Sequence, residues 1–120
     1  MSLTGKSAIV TGASRGIGRA IAIDLAARGV SVVVNYNSSV SAAQEVLSAI
    51  AAAGGKAVAV RGDVSKPEDA NAVVKAAIDA YGKVDILVNN AGTTRDTLLM
   101  TMKEEDWDVV IDTDLKSVYN

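Results

Sequence analysis

Short β-branched runs alternate with longer stretches whose apolar residues recur at helical spacing. Residues 7–11, Ser-Ala-Ile-Val-Thr, form a continuous apolar run of the kind found in strands buried on both faces. Ile17, Ile21 and Leu25 then recur at a period that predicts a helix, with Gly29 at its carboxyl end. Residues 31–35 (Ser-Val-Val-Val-Asn) predict a second strand. Val40, Ala43, Leu47 and Ile50 mark the inner stripe of a second helix, closed by Gly54-Gly55. Residues 57–61 predict a third strand. A third helix starts from a capping box in which Ser65 caps, Pro67 sits in the first turn and Glu68 follows three residues after the serine. Its inner face is Ala70, Val73, Val74, Ala77, Ile78 and Tyr81, and Gly82 ends it. Residues 84–89 predict a fourth strand. After a polar loop, Thr101 and Glu104 form another capping box, and residues 107–118 are expected to be helical.

Four βα units in succession imply right-handed crossovers and a parallel sheet covered on both faces. The expectation is one α/β domain over residues 1–120, with no repeat or linker dividing it. Composition narrows the function. The chain is 49% hydrophobic and 22% charged, as expected of a globular protein. A net charge of −2 supplies no basic footprint for nucleic acid or an anionic membrane. No apolar run approaches the roughly 18 residues of a membrane span, and the first residues lack signal-peptide character, so a cytoplasmic location is expected. With no cysteine and no histidine, thiol chemistry, disulfides and the commonest metal ligand are excluded. The acids Glu104, Glu105, Asp106 and Asp108 fall near a helix start and read as solvated, so no metal site is expected. Asn37-Ser38-Ser39 matches a glycosylation sequon but lacks a secretion signal to give it meaning.

The main candidate for chemistry lies where the first strand runs into Gly12-Ala13-Ser14-Arg15-Gly16-Ile17-Gly18. A turn this tight uses backbone angles closed to residues with side chains, and free N–H groups at a helix start suit a pyrophosphate. A plain βα turn with glycines for packing is the competing explanation. Gly5-Lys6-Ser7 mimics the end of a P-loop, but it precedes the strand and lacks the upstream glycine, which argues against triphosphate hydrolysis.

Thr11-Gly12-Ala13-Ser14-Arg15-Gly16-Ile17-Gly18, Asp63-Val64 and Asn89-Asn90-Ala91-Gly92, in this order and spacing, resemble the short-chain dehydrogenase/reductase family. Asn89 to Asp96 and Trp107 to Thr113 bring the chain nearest to its 3-oxoacyl-[acyl-carrier-protein] reductase branch. The resemblance implies a parallel-sheet Rossmann-like half with strand order 3-2-1-4, and a nicotinamide dinucleotide as cofactor. By carry-over, Gly12, Ser14, Arg15, Gly16, Ile17 and Gly18 would take the pyrophosphate side. Asp63 would contact the adenine and Val64 line its pocket, while Asn90, Ala91 and Gly92 would lie against the ribose. On the residues alone, Asp63-Val64 also reads as a strand-end turn and the asparagine pair as an ordinary loop.

The second strand ends in Asn35-Tyr36-Asn37-Ser38-Ser39, without the carboxylate that NAD sites place against the 2′-hydroxyl. Asn35 and Ser38 would tolerate a 2′-phosphate, and Arg15 is either its cation or a solvated loop arginine. The resemblance favours NADP(H) over NAD(H). The family's catalytic serine and Tyr-x-x-x-Lys are not found. Val40 and Asp85 stand four residues after Tyr36 and Tyr81, and the position four after Tyr119 lies beyond the sequence. One catalytic position is present but altered: Asp114 stands where the family shows asparagine, on the stripe Trp107, Ile111, Asp114, Val118. An ionised aspartate lacks the amide's donor. The chain alone is therefore expected to bind dinucleotide weakly and to reduce no ketone. A fold fragment with no enzymatic role and a flavodoxin-like mononucleotide binder are the alternatives. An exposed apolar edge on the fourth strand predicts a homodimer, through that edge or the last helix.

Overall fold

Apolar runs bounded by turns form the strands, and the helically spaced stretches pack across them. The computed structural model describes residues 3–14 and 16–90 in full, and residues 97–103 and 106–112 as backbone. The elements are β1 (Ser7–Val10), α1 (Gly16–Ala27), β2 (Ser31–Tyr36), α2 (Val40–Ala52), β3 (Lys56–Arg61), α3 (Pro67–Tyr81), β4 (Ile86–Asn89), β5 (Thr97–Lys103) and β6 (Asp106–Asp112). One sheet runs β3-β2-β1-β4-β5-β6. The first four strands are parallel, with Ile9 opposite Val33 and Leu87 in the centre. The expected order 3-2-1-4 is the one observed. A flavodoxin-like order would place β3 on the other side of β1, where β4 stands instead.

The strand residues alternate between two cores. Ala8, Val10, Val32 and Val34 point into one layer with Ile21 and Leu25 of α1 and Val46 and Ile50 of α2. Ile9 and Val33 point into the other, against Val73 and Ala77 of α3. Burial on both faces explains why these strands read as unbroken apolar runs. Each buried valine or isoleucine contributes roughly 1.5–3 kcal/mol relative to exposure.

Several expectations are corrected. Val40 and Ile78, assigned to inner stripes, are 54% and 47% exposed. The capping box at Ser65 does not form: α3 is capped at Lys66 without a side-chain bond. The Ser65 hydroxyl instead donates to Asp63 Oδ1 at 2.6 Å, and the Ser65 N–H donates to the same oxygen at 3.0 Å. A carboxylate two residues back outcompetes the helix for the serine.

The largest correction concerns residues 107–118, expected to be helical. Residues 106–112 form a strand antiparallel to β5, and β5 pairs antiparallel with β4, matching Ile86 with Thr101 and Val88 with Leu99. The edge of β4 expected to recruit a second copy is thus covered by the chain itself. Residues 97–103 take the place beside β4 that a second copy was expected to fill. The reason is non-local. A bare edge leaves a row of backbone N–H and C=O groups to be paired, and Val109, Val110 and Ile111 suit a pleated strand. Residues 113–118 of the expected helix, and the Glu104 of its capping box, lie outside the described residues.

At the amino ends of β1 and β4 the sheet is pinned by a charged latch. The Ser7 N–H donates to Asp85 Oδ2 at 2.9 Å, and the Asp85 N–H donates to the Ser7 carbonyl at 3.0 Å. Lys83 Nζ lies 3.1 Å from the same carboxylate oxygen, and the Ser7 hydroxyl donates to the Lys83 carbonyl. Burial pushes the Asp85 carboxyl up, but the Ser7 N–H, Lys83 and Lys6 together hold it below the ordinary value of 3.8. A carboxyl lowered in the folded state stabilises the fold at pH above its unfolded value, and that stability is lost as pH falls through the lowered one. The stability advantage of the parent over Asp85→Asn is therefore expected to hold at neutral pH and to shrink below pH 3.8. Urea midpoints across pH check this; a gap independent of pH would contradict it.

Candidate functional site

At the opposite end of the sheet the carboxyl ends of β1 to β4 open into one cavity of about 600 Å³. It lies where the sheet order changes direction: from β1 the chain goes outward to β2 and β3, then returns to β4 on the other side. Such switch points are where open parallel sheets hold ligands.

The first wall is the turn between β1 and α1. Gly12 and Gly16 have φ of +59° and +62°, in the left-handed region that side chains disfavour. Gly18 is required for another reason. A Cβ there would fall 2.2 Å from the Gly12 carbonyl oxygen and 2.7 Å from Asn90 Nδ2. Its missing side chain lets α1 begin directly behind the turn, with the positive end of the helix facing the cavity.

The second wall joins β1 to β4 through Thr11. This residue is 3% exposed. Its hydroxyl donates to Asn89 Oδ1 at 3.0 Å and accepts from the Asn90 N–H at 2.8 Å, while its own N–H donates to the Val88 carbonyl at 3.0 Å. The asparagine pair is thereby held in place before the 91–96 segment.

The third wall comes from β2 and β3. Asn35 is 1% exposed. Its amide Nδ2 donates to the Val60 carbonyl at 3.1 Å and the Gly62 carbonyl at 3.2 Å. Its backbone carbonyl accepts from the Ala13 N–H at 2.9 Å. The side-chain amide is spent on Val60 of β3 and on Gly62 just after it, so Asn35 clamps β2 to the end of β3. Beyond it, Asn37, Ser38 and Ser39 form a rim without a carboxylate. Asp63 and Val64, which follow β3, line the same cavity. The hydroxyl and N–H of Ser65, against a small opposing effect of burial, hold the Asp63 carboxyl below its usual range, so it is charged at neutral pH. Asp69 Oδ2 accepts from the Asp63 N–H at 2.9 Å and fixes that turn.

Of the residues expected to bind a cofactor, Gly12, Ser14, Gly16, Ile17, Asn35, Ser38, Asp63, Val64 and Asn90 line this one cavity, and Gly18 stands behind it. Arg15, Ala91, Gly92 and Asp114 lie outside the described residues. Asn37, Ser39, Gly62, Ser65 and Asn89 join the lining without having been singled out as binding residues. The polar run after β2 and the glycine after β3 were the signals for them. Ile17, 54% exposed, is an apolar surface of the cavity. Among the described residues no three His, Cys, Asp or Glu side chains cluster as a metal site. None of the helices described is long and apolar enough to cross a membrane.

The arrangement offers backbone donors at a helix start, amides and hydroxyls on one rim, and one carboxylate after β3. It suits an extended polar ligand with an anionic middle. The chain is 51% identical over 118 residues to a 3-oxoacyl-[acyl-carrier-protein] reductase of Synechocystis sp., covering 98% of this chain and 48% of the relative. It is 51% identical over 115 residues to the Staphylococcus epidermidis enzyme of that name, covering 96% and 47%. It therefore spans about half the length of these relatives. Among solved structures, a dehydrogenase/reductase from Sinorhizobium meliloti superposes with a TM-score of 0.74 at 48% identity, over 76% of this chain and 36% of that one. A short chain dehydrogenase from Burkholderia cenocepacia, in complex with NADP, gives 0.73 at 47% identity, over 77% and 38%. Residues 6–120 match the short chain dehydrogenase family throughout, and with this fold and these relatives the chain belongs to that family.

Proposed function

We propose that residues 1–120 form one nucleotide-binding unit whose cavity takes NADP(H) in preference to NAD(H). It serves a reductase resembling those that act on 3-oxoacyl groups carried by an acyl-carrier protein. The observation that carries this reading is the convergence of the Gly12–Gly18 turn, the carboxylate-free rim of Asn37, Ser38 and Ser39, and Asp63-Val64 on one cavity. In this reading the glycine turn and Ser14 receive the pyrophosphate, Asp63 and Val64 the adenine, and Asn90 the ribose. The rim takes the 2′-phosphate, which an acid there would repel. The cofactor supplies a hydride. The chain's own residues bind and orient it, and Thr11 holds the asparagine pair that borders the reacting end.

No Tyr-x-x-x-Lys occurs in these 120 residues, so the purified chain is expected to bind without reducing ketones. For self-association the outer strands of the sheet are β3 and β6. Titration of NADPH and NADH against the 120-residue chain, read by nicotinamide fluorescence, tests the reading. NADPH is expected to saturate at roughly tenfold lower concentration than NADH, as one charge-assisted contact set predicts. Equal or tighter NADH binding would sink the preference. Saturation by neither would sink the cofactor site, and ketone turnover would sink the expected inactivity.

A further inference from the structure

Arg61 closes β3 directly opposite Tyr36, the last residue of β2. Its Nε–H donates to the Asn37 carbonyl at 3.1 Å. The next residue, Gly62, donates its N–H to the Tyr36 carbonyl at 2.9 Å and lines the cavity. An exposed guanidinium is thus tied to the first residue of the rim. A guanidinium carries five N–H donors in a planar fork and stays charged at any working pH. Here one is spent on a backbone carbonyl. The other four make no hydrogen bond or ion pair with any described residue, the ion pairs there being Arg19–Glu45, Arg28–Asp24 and Lys83–Asp85. Asp63, two residues on, is engaged by Ser65 instead. A cation is therefore fixed beside a rim of amides and hydroxyls, in no ion pair with a described carboxylate.

Resting on the dinucleotide reading above, we infer that Arg61 is a positioning and specificity residue for the 2′ substituent of the ribose. It holds the 37–39 rim through the Asn37 carbonyl and offers its remaining donors to a phosphate. The physical difference is one of charge. A 2′-phosphate brings close to two negative charges and three acceptor oxygens, which suit the guanidinium fork. A 2′-hydroxyl brings neither, and gains nothing from the cation. Arg61 thus contributes to discrimination between the two cofactors, and its pull on the rim keeps Ser38 and Ser39 in place for the same group.

Three variants separate the two parts of this role. Arg61→Ala removes tether and charge, Arg61→Gln keeps an N–H for the Asn37 carbonyl without charge, and Arg61→Lys keeps charge without the fork. The probes are NADPH, NADH and adenosine 2′,5′-bisphosphate, with circular dichroism melting as the folding control. Arg61→Gln is expected to weaken NADPH and the bisphosphate about tenfold and Arg61→Ala somewhat more, while Arg61→Lys recovers part of that loss. NADH is expected to change by less than about twofold in all three, a split that a merely structural role would not give. NADPH binding should also fall with added salt, less steeply in the uncharged variants. An equal loss for NADPH and NADH, or no loss for NADPH in Arg61→Gln, overturns the inference while leaving the cofactor site standing. Saturation of the parent chain by neither cofactor overturns the dinucleotide reading and the inference with it.

Discussion

Gly18→Ala is expected to abolish measurable dinucleotide binding and to lower unfolding stability by about 3 kcal/mol, the upper end for overpacking a tight site. The added Cβ would sit 2.2 Å from the Gly12 carbonyl oxygen and 2.9 Å from its carbon. These are backbone atoms, and Gly12 already occupies the left-handed region at φ +59°. The Asn90 amide at 2.7 Å can rotate away, but the Gly12 peptide moves only if the turn moves. Relief must come from sliding α1 away from the turn, which withdraws the helix start from the cavity. Gly16→Ala is the control. Its Cβ meets nothing within 4 Å, so only the left-handed backbone at φ +62° opposes it, a cost of about 1–2 kcal/mol. Urea midpoints of both variants, with NADPH titration, check the contrast. A Gly18→Ala protein as stable as Gly16→Ala, or binding like the parent, would show that the approach of α1 to the turn is not the constraint described.

Much of this was legible because the relevant signals are local. Val32, Val33 and Val34 are all fully buried, on alternating faces; a strand covered on both sides has no polar position to break its run. The glycine turn was legible for a similar reason, since positive φ and close approach both restrict residue choice at fixed spacing. The readings that failed depended on competition between distant or alternative partners. Trp107 and Ile111 stand at helical spacing behind a capping box, yet residues 106–112 lie in a strand. The backbone groups along β4 and β5 set that outcome, and no window of sequence contains them all. Ser65 fits a cap by position, but the carboxylate of Asp63 takes its hydroxyl. Ile17 keeps the helical period and still faces outward, because the first turn of α1 overhangs the cavity instead of the sheet. Asn35 was recognisable as a polar residue at a strand end. That its amide is spent on Val60 and on Gly62 just past β3 needed the register of β2 on β3.

That clamp supports the second large effect, Asn35→Leu, expected to destabilise the fold by about 2–4 kcal/mol. Leucine is close in size, so the cost comes from lost hydrogen bonds and not from a cavity. Asn35 is 1% exposed, and the half-buried Val60 and Gly62 carbonyls each lose a donor. A buried acceptor left without its partner costs more than the net worth of the bond when made. Asn35→Asp is expected to be at least as damaging, because it keeps the shape but points an acceptor-only carboxylate at two carbonyl oxygens. The consequence reaches the site through Gly62, which lines the cavity and leads directly into Asp63. Released from the clamp, the 62–64 turn loses its place, and NADPH and NADH are expected to weaken together. That common loss distinguishes Asn35, which shapes the wall both cofactors share, from Arg61, which addresses only the group by which they differ. Urea midpoints and paired titrations provide the measurement. A leucine variant as stable as the parent would show that the two bonds contribute no net stability to the sheet. Selective loss of NADPH would place Asn35 on the rim and not in the wall.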